Sequence, residues 1–384
     1  MNGGTLLPYE TDLQRYLDIF ALSLSLKKNN RWSPEDDKVN YPLLFSTYIK
    51  MIQQDEHEFF VRKQDKLKMI QSLNRSKDFY SFTRHTQLFH TLKRMISNDP
   101  RDFILLPLSY SIKKNKKSGH VSGALIYKET KNYRIILVDK RNHLSNSSVN
   151  MVKIPSEKMA PLCKELFAQR DHPKLETCYD ILYRIIDHSS SNSFSSLDYT
   201  MHEQKEGNCV VKEIEATAKT ALLHCRHDLL ASQGKKKLKW SDVPESTLEM
   251  QKRFLTVIKS KYIKSSLPDY FFEIYKLRKR ANDEHSPLTT TEKKRIHEIY
   301  KKIFADHPEI QEIFKETPSS NLSKVEKPIH LNKAIIADPK MGKYPKAGNT
   351  KNMINIFEKI TDEKNRIANG LRTEKRTPKD EFIR

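Results

Sequence analysis

The chain has 384 residues, 69 Lys and Arg against 48 Asp and Glu, a formal charge of +21, and 37 % hydrophobic content. That length exceeds the roughly 100–200 residues of a usual single domain and predicts two lobes, or one domain with helical additions. No apolar run approaches the roughly 18–20 residues of a membrane span, and the start MNGGTLLPYETDLQRYL lacks a basic region followed by an apolar one. Neither a transmembrane segment nor an N-terminal signal peptide is therefore expected.

From about Asp12 to Ser97 apolar residues recur at three- and four-residue spacing, in LQRYLDIFALSL, DEHEFFVRKQDKLKMIQSL and DFYSFTRHTQLFHTLKRMI, which predicts a helical N-terminal section over 1–99. Asn98-Asp99-Pro100 ends it. Three β-rich segments follow, FILLPLSYSI (103–112), HVSGALIY (120–127) and YRIILVD (133–139), separated by KKNKKSG and KETKN, as for neighbouring antiparallel strands. After the polar loop RNHLSNSS, helical segments are expected around Ala160–Gln169 and Leu175–Ile186. SSSNSFSS (189–196) is low-complexity.

The long amphipathic run CVVKEIEATAKTALLHCRHDLL begins at Cys209. Beyond the basic knot GKKKLKW the pattern is helical again over 233–317, with Thr289 and Glu292 spaced as a capping box. Residues 318–384 lose periodicity and read as a flexible basic tail. Of the charged groups, residues 233–384 carry 34 basic and 21 acidic against 35 and 27 before them, so an anionic ligand would be drawn to the C-terminal half.

Cys163, Cys178, Cys209 and Cys225 form no CxxC pair and no Cys/His ligand spacing, so no metal site and a reducing compartment are expected. On one helix, Cys209 and Cys225 would lie about 24 Å apart, too far to bond. A thiol nucleophile needs a base, a group to orient that base, and donors for the developing oxyanion. His120 starts one strand and Asp139 ends the next, which brings them to one edge of an antiparallel pair. Cys209 opens a helix, whose first N–H groups favour a thiolate, and Gln204 five residues earlier could add an amide to the oxyanion site. Taken singly, a cysteine at a helix start is more often a small buried residue, a histidine before a strand is often structural, and an aspartate after a strand is often a turn former. His202 competes with His120 as base but lacks a strand to orient it. His143 is among the other histidines available, while His224 and His227 lie too far along the Cys209 helix.

The order His120, Asp139, Gln204, Cys209, carried by GHVSGALIY, YRIILVD and QKEGNCVVKEIEATA, resembles the cysteine-protease clan of the adenovirus proteinase, the ubiquitin-like-protein proteases and the YopJ-like bacterial effectors. The match spans about 103–230, and the seventy residues between Asp139 and Cys209 imply, relative to that clan, a helical insertion near 155–200. It departs from the ubiquitin-like-protein proteases in having Val121 after the histidine and Asn208-Cys209-Val210 around the nucleophile. The resemblance implies an α+β fold with a papain-like core at 100–232, in which an antiparallel sheet packs on the helix bearing the nucleophile, flanked by helical N- and C-terminal additions. It implies His120 as base, Asp139 as its orienter, Gln204 as oxyanion donor and Cys209 as nucleophile.

By the same resemblance the expected activity is that of a thiol protease or deubiquitinase-like hydrolase, a bacterial effector acting in the host cytoplasm on host proteins, ubiquitin or a ubiquitin-like protein among them. Such a hydrolase requires no cofactor. The alternatives are glutamine deamidation, or YopJ-like acetyl transfer from acetyl-CoA with inositol hexakisphosphate at a basic surface. Outside this class stands a non-enzymatic basic helical protein that binds nucleic acid or anionic membrane.

Overall fold

The computed structural model describes residues 12–29, 32–111, 119–145, 147–171, 180–190, 193–197, 201, 207–229, 246–262 and 265–311. The chain divides into a unit of Met1–Pro318 and a second of Ser319–Arg384, and every described element belongs to the first. Gln204, the basic knot at 234–240 and the segment 318–384 lie outside the described residues.

Among the described residues, ten helices surround one five-stranded antiparallel sheet, a mixed α and β architecture. Four helices precede the sheet: α1 (Asp12–Ser23), α2 (Pro34–Gln53), α3 (Lys66–Asp78) and α4 (His85–Arg94). α2 starts where local chemistry dictates. The Ser33 hydroxyl accepts the Asp36 N–H at 3.0 Å, Pro34 takes the first position where no N–H is needed, and Glu35, Asp36 and Asp37 meet the positive end of the helix. DEHEFF does not continue the helical period into α3, because the Asp55 carboxylate takes the N–H groups of Phe59 (3.0 Å) and Phe60 (2.8 Å) in place of the helical carbonyls.

The sheet is a meander in which each strand pairs with its successor: β1 (Phe103–Ser111), β2 (Gly119–Lys128), β3 (Asn132–Val138), β4 (Val149–Pro155) and β5 (Ser195–Ser196). All nine residues of β1 are buried although it is an edge strand. α3 covers that edge: the Ser72 and Ser76 hydroxyls accept the outward N–H groups of Phe103 (3.1 Å) and Leu105 (2.8 Å), so the strand is satisfied without a further neighbour. β4 was not expected from the sequence, since VNMVKIP directly follows a polar loop. Its pairing with β3, Val138 opposite Val149 through Asn132 opposite Pro155, supplies what periodicity could not. The serine-rich run likewise contributes β5, with Ser195 and Ser196 paired to Met151 and Asn150.

α5 (Met159–Asp171) and α6 (Asp180–Asp187) follow β4; residues 172–179 lie outside the described residues. α7 (Cys209–His227) then lies across β2, with contacts to β1 and β3 on either side. Gly123 and Tyr127, which share one face of β2, both meet α7. Thr217 sits on Gly123, and the His224 ring stands edge-on to Tyr127 with centroids 4.8 Å apart. α8 (Ser246–Lys261), α9 (Leu267–Asp283) and α10 (Thr290–Asp306) complete the unit, α10 with the Thr289–Glu292 capping box in place.

These sections are not separable bodies. α1, α2 and α8 pack against one another, and α1 also packs on α7. A buried polar chain joins them: the Ser23 hydroxyl donates to Gln251 Oε1 at 2.8 Å, Gln251 Nε2 reaches Glu215 Oε2 at 3.3 Å, and Lys212 and Lys219 pair with the same carboxylate. The two ammonium groups hold Glu215 well below the usual carboxylate range although burial acts to raise it.

Candidate functional site

Pairing of β2 with β3 ends at Gly123 opposite Val138, so His120 stands three residues beyond the last pair, past the end of β3. The chain turns at that same place. Asp139 follows β3, and its carboxylate collects the N–H groups of Arg141 (2.9 Å) and His143 (3.1 Å) from the turn it initiates. The sheet corner thereby brings together two residues nineteen positions apart: His120 Nε2 lies 3.1 Å from Asp139 Oδ1.

Two further side chains complete the carboxylate's surroundings. His143 Nδ1 lies 2.8 Å from Asp139 Oδ2, and Tyr110 Oη, from the β1 residue directly opposite His120, lies 3.2 Å from that oxygen. Burial alone would raise the Asp139 carboxyl, but the hydrogen bonds from His120 and His143 outweigh it and hold the group well below its ordinary range. Asp139 is thus an ionised acceptor shared by two imidazoles. His120 is displaced the other way: burial lowers its pKa and Asp139 only partly restores it, so the ring is neutral at pH 7.

Cys209 is the first residue of α7 and is 1 % exposed. Its approach to the sheet is fixed from two sides. Asn208 Nδ2 donates to Leu22 O at 2.9 Å and to Ser25 Oγ at 2.9 Å, the Asn29 N–H donates to Gly207 O, and Val121 N–H donates to the Cys209 sulfur. The sulfur therefore sits against the strand residue next to His120, while the hydrogen bonds of the His120 ring go to Asp139. Helix-terminal N–H groups favour a thiolate, as expected from the sequence, yet burial dominates and pushes the thiol up to about 12. At pH 7 the Cys209 thiol and the His120 imidazole are both neutral. Burial also pushes Cys163 to about 12 and Cys225 to about 11, so the three described thiols are all protonated at pH 7.

No family model and no curated protein matches this chain.

Of the four residues singled out in the sequence, the sheet corner joins His120 to Asp139, α7 carries Cys209 to the neighbouring strand residue, and Gln204 lies outside the described residues. Sequence reasoning missed Tyr110 and Glu213 and gave His143 no role. Glu213 is one helical turn beyond Cys209, fully buried, with Oε2 accepting the Lys140 N–H at 3.0 Å and Oε1 3.9 Å from His120 Nε2. Burial and the charge of Asp139 raise its pKa well above the ordinary carboxyl value. The i, i+4 spacing of Cys209 and Glu213 was the available signal, since both then face the same partner. The histidine–carboxylate–histidine set, His120, Asp139 and His143, also offers metal-ligating atoms that lie within 4.8 Å of one another. Sequence spacing alone did not reveal it, because a turn and two strands assemble it.

Proposed function

We propose that the chain is a cysteine-dependent acyl-transfer enzyme that cleaves a peptide or isopeptide bond in a protein substrate through an acyl-enzyme on Cys209. The observation that supports this reading best is the 3.1 Å contact between His120 Nε2 and Asp139 Oδ1 beside a cysteine that opens a helix packed on the same strand. With Nε2 committed to Asp139, Nδ1 is the nitrogen left to accept the thiol proton. As the sulfur attacks the carbonyl carbon, that proton passes to Nδ1, and Asp139 stabilises the imidazolium. Backbone N–H groups at the start of α7 meet the oxyanion. His120 then returns the proton to the leaving amine, and water releases the acyl group by the reverse sequence.

A neutral resting pair suits this order of events, because no thiolate needs to be stored and charge appears only when substrate arrives. The described form is closed over the sulfur, so the groups covering Cys209 move before a substrate reaches it.

The test is labelling by a ubiquitin-derived electrophilic probe and by a peptide-based one, followed by mass spectrometry of the modified cysteine. Modification at Cys209, lost in His120→Ala and redirected nowhere in Cys209→Ala, is the expected result. Equal labelling of Cys163, Cys209 and Cys225, unchanged by His120→Ala, would sink the proposal. Incorporation of label from acetyl-CoA, with and without inositol hexakisphosphate, would instead make the acyl donor a thioester.

A further inference from the structure

Two carboxyls and two imidazoles converge at the sheet corner, where the charges of Lys140 and Arg141 act on Glu213 but neither forms an ion pair at contact distance among the described residues. Among the described contacts, Lys140 gives Glu213 only its backbone N–H and Arg141 gives Asp139 only its backbone N–H, while the neighbouring side chains are His120, His143 and Tyr110. Glu213 is 0 % exposed and its Oε1 has no hydrogen-bond partner. That orphan is costly in either protonation state, as a carboxylate oxygen without a donor or as a hydroxyl without an acceptor. It faces the cluster, 3.9 Å from His120 Nε2.

The donor set has a recognisable preference. Two imidazole nitrogens with two carboxylates suit a borderline divalent ion such as Zn²⁺, whose bonds to nitrogen and carboxylate oxygen are about 2.0–2.2 Å, placing tetrahedral ligand atoms roughly 3.3 Å apart. His120 Nε2, Asp139 and His143 Nδ1 already lie within 4.8 Å of one another, and Glu213 Oε1, outside that trio, lies 3.9 Å from His120 Nε2. Contraction of the trio by up to about 1.5 Å, with the Glu213 carboxylate swinging in from beside His120, closes the set. The ion's two charges offset the two carboxylates.

We propose that His120, Asp139, His143 and Glu213 form a binding site for one divalent ion of the zinc class, and that the ion switches off the thiol chemistry. Ligation at His120 Nε2 moves that ring's proton to Nδ1, and His143 likewise carries its proton to Nε2. Any proton on Glu213 leaves to solvent. With Nδ1 protonated, His120 has no lone pair for the Cys209 proton. Metal binding stands independently of the enzymatic reading, whereas the inhibition rests on it.

Calorimetric titration of the full chain with Zn²⁺ after chelator dialysis, paired with visible spectroscopy of the Co²⁺ form, tests the site. One ion per chain is expected, with affinity reduced tenfold to a hundredfold in Glu213→Gln and in His143→Ala and unchanged in Cys209→Ala. Circular dichroism and melting curves of each variant show whether it is folded, and Glu213→Gln is the conservative change that keeps the test valid if His143→Ala is not. Absence of one-to-one binding, or equal affinity in wild type and Glu213→Gln, would overturn the site and leave the four side chains a hydrogen-bonded cluster. Probe labelling of Cys209 is measured on the same samples. Labelling that persists in saturating Zn²⁺ refutes the inhibition, while Zn²⁺ binding without any labelling refutes the thiol reading and keeps the site.

Discussion

Gly123 of β2 and Thr217 of α7 stand so close that a methyl group built on the glycine would lie 1.8 Å from Thr217 Oγ1 and 2.6 Å from its Cβ. The contact explains why the strand that carries His120 has a glycine in its middle: the helix that carries Cys209 lies directly on the backbone there. Gly123→Ala is expected to push α7 off the sheet and to cost about 2–3 kcal/mol or more, since overpacking of a tight contact costs on the order of 1–3 kcal/mol before the neighbouring site is disturbed. Thr217→Ala in the same chain removes Oγ1 and Cγ2 but leaves the Cβ, so it should restore part of the loss. Urea denaturation of wild type and the two variants measures this, and an unchanged midpoint for Gly123→Ala would show that α7 is not seated as described.

Asp139→Asn replaces an acceptor of five donors with a group that must donate on one side. His120 and Tyr110 come from strands, and His143 from the turn, so all three lose their common partner at once. Labelling of Cys209 by the peptide probe is expected to slow by roughly 10²–10⁴-fold, the range that a general base and its orienting partner contribute. Tyr110→Phe removes only one of the five donors and should slow it far less. Equal rates for wild type and Asp139→Asn would dissociate Asp139 from the chemistry.

Acid should weaken the fold through His224. This side chain is buried against Tyr127, its Nδ1 accepts the Leu229 N–H at 3.0 Å, and burial lowers its pKa from 6.5 to about 4 despite the partial offset from Asp228. A folded-state pKa below the unfolded one means that the unfolded chain takes up a proton first, so stability is full above pH 6.5 and falls as the pH drops toward 4. The loss attributable to this one ring is on the order of 3 kcal/mol. His120 acts in the same direction. Chemical denaturation across that window should therefore give a shallower slope for His224→Phe than for wild type; identical slopes would refute the assignment.

The sequence carried the site's long-range pairing better than its local surroundings. Two apolar runs with a five-residue turn imply an antiparallel pair, and such a pair brings the start of the first strand and the end of the second to one edge, which is why His120 and Asp139 were legible. β4 was not, because seven residues after a serine-rich loop do not show enough alternation to be told from the loop itself. Glu213 was missed for a different reason. Its chemistry comes from complete burial and from the neighbouring Asp139, and neither is visible in a helix whose charges look like an ordinary solvated stripe. Expectations about the thiol had the right helix and the wrong balance, since a helix terminus favours a thiolate only while water or a cation shares the task.

The grip of Asn208 on the end of α1 links residues 186 positions apart in the chain. During synthesis α1 emerges long before the segment that must dock on it, and β2, on whose Val121 N–H the sulfur rests, is also made earlier than α7. The corner where Cys209 docks is thus assembled last, from partners already made on both sides of a large closure, and the proposed chemistry would be available only late in folding. Nascent or partly unfolded chains would carry an ordinary, unaligned cysteine at position 209.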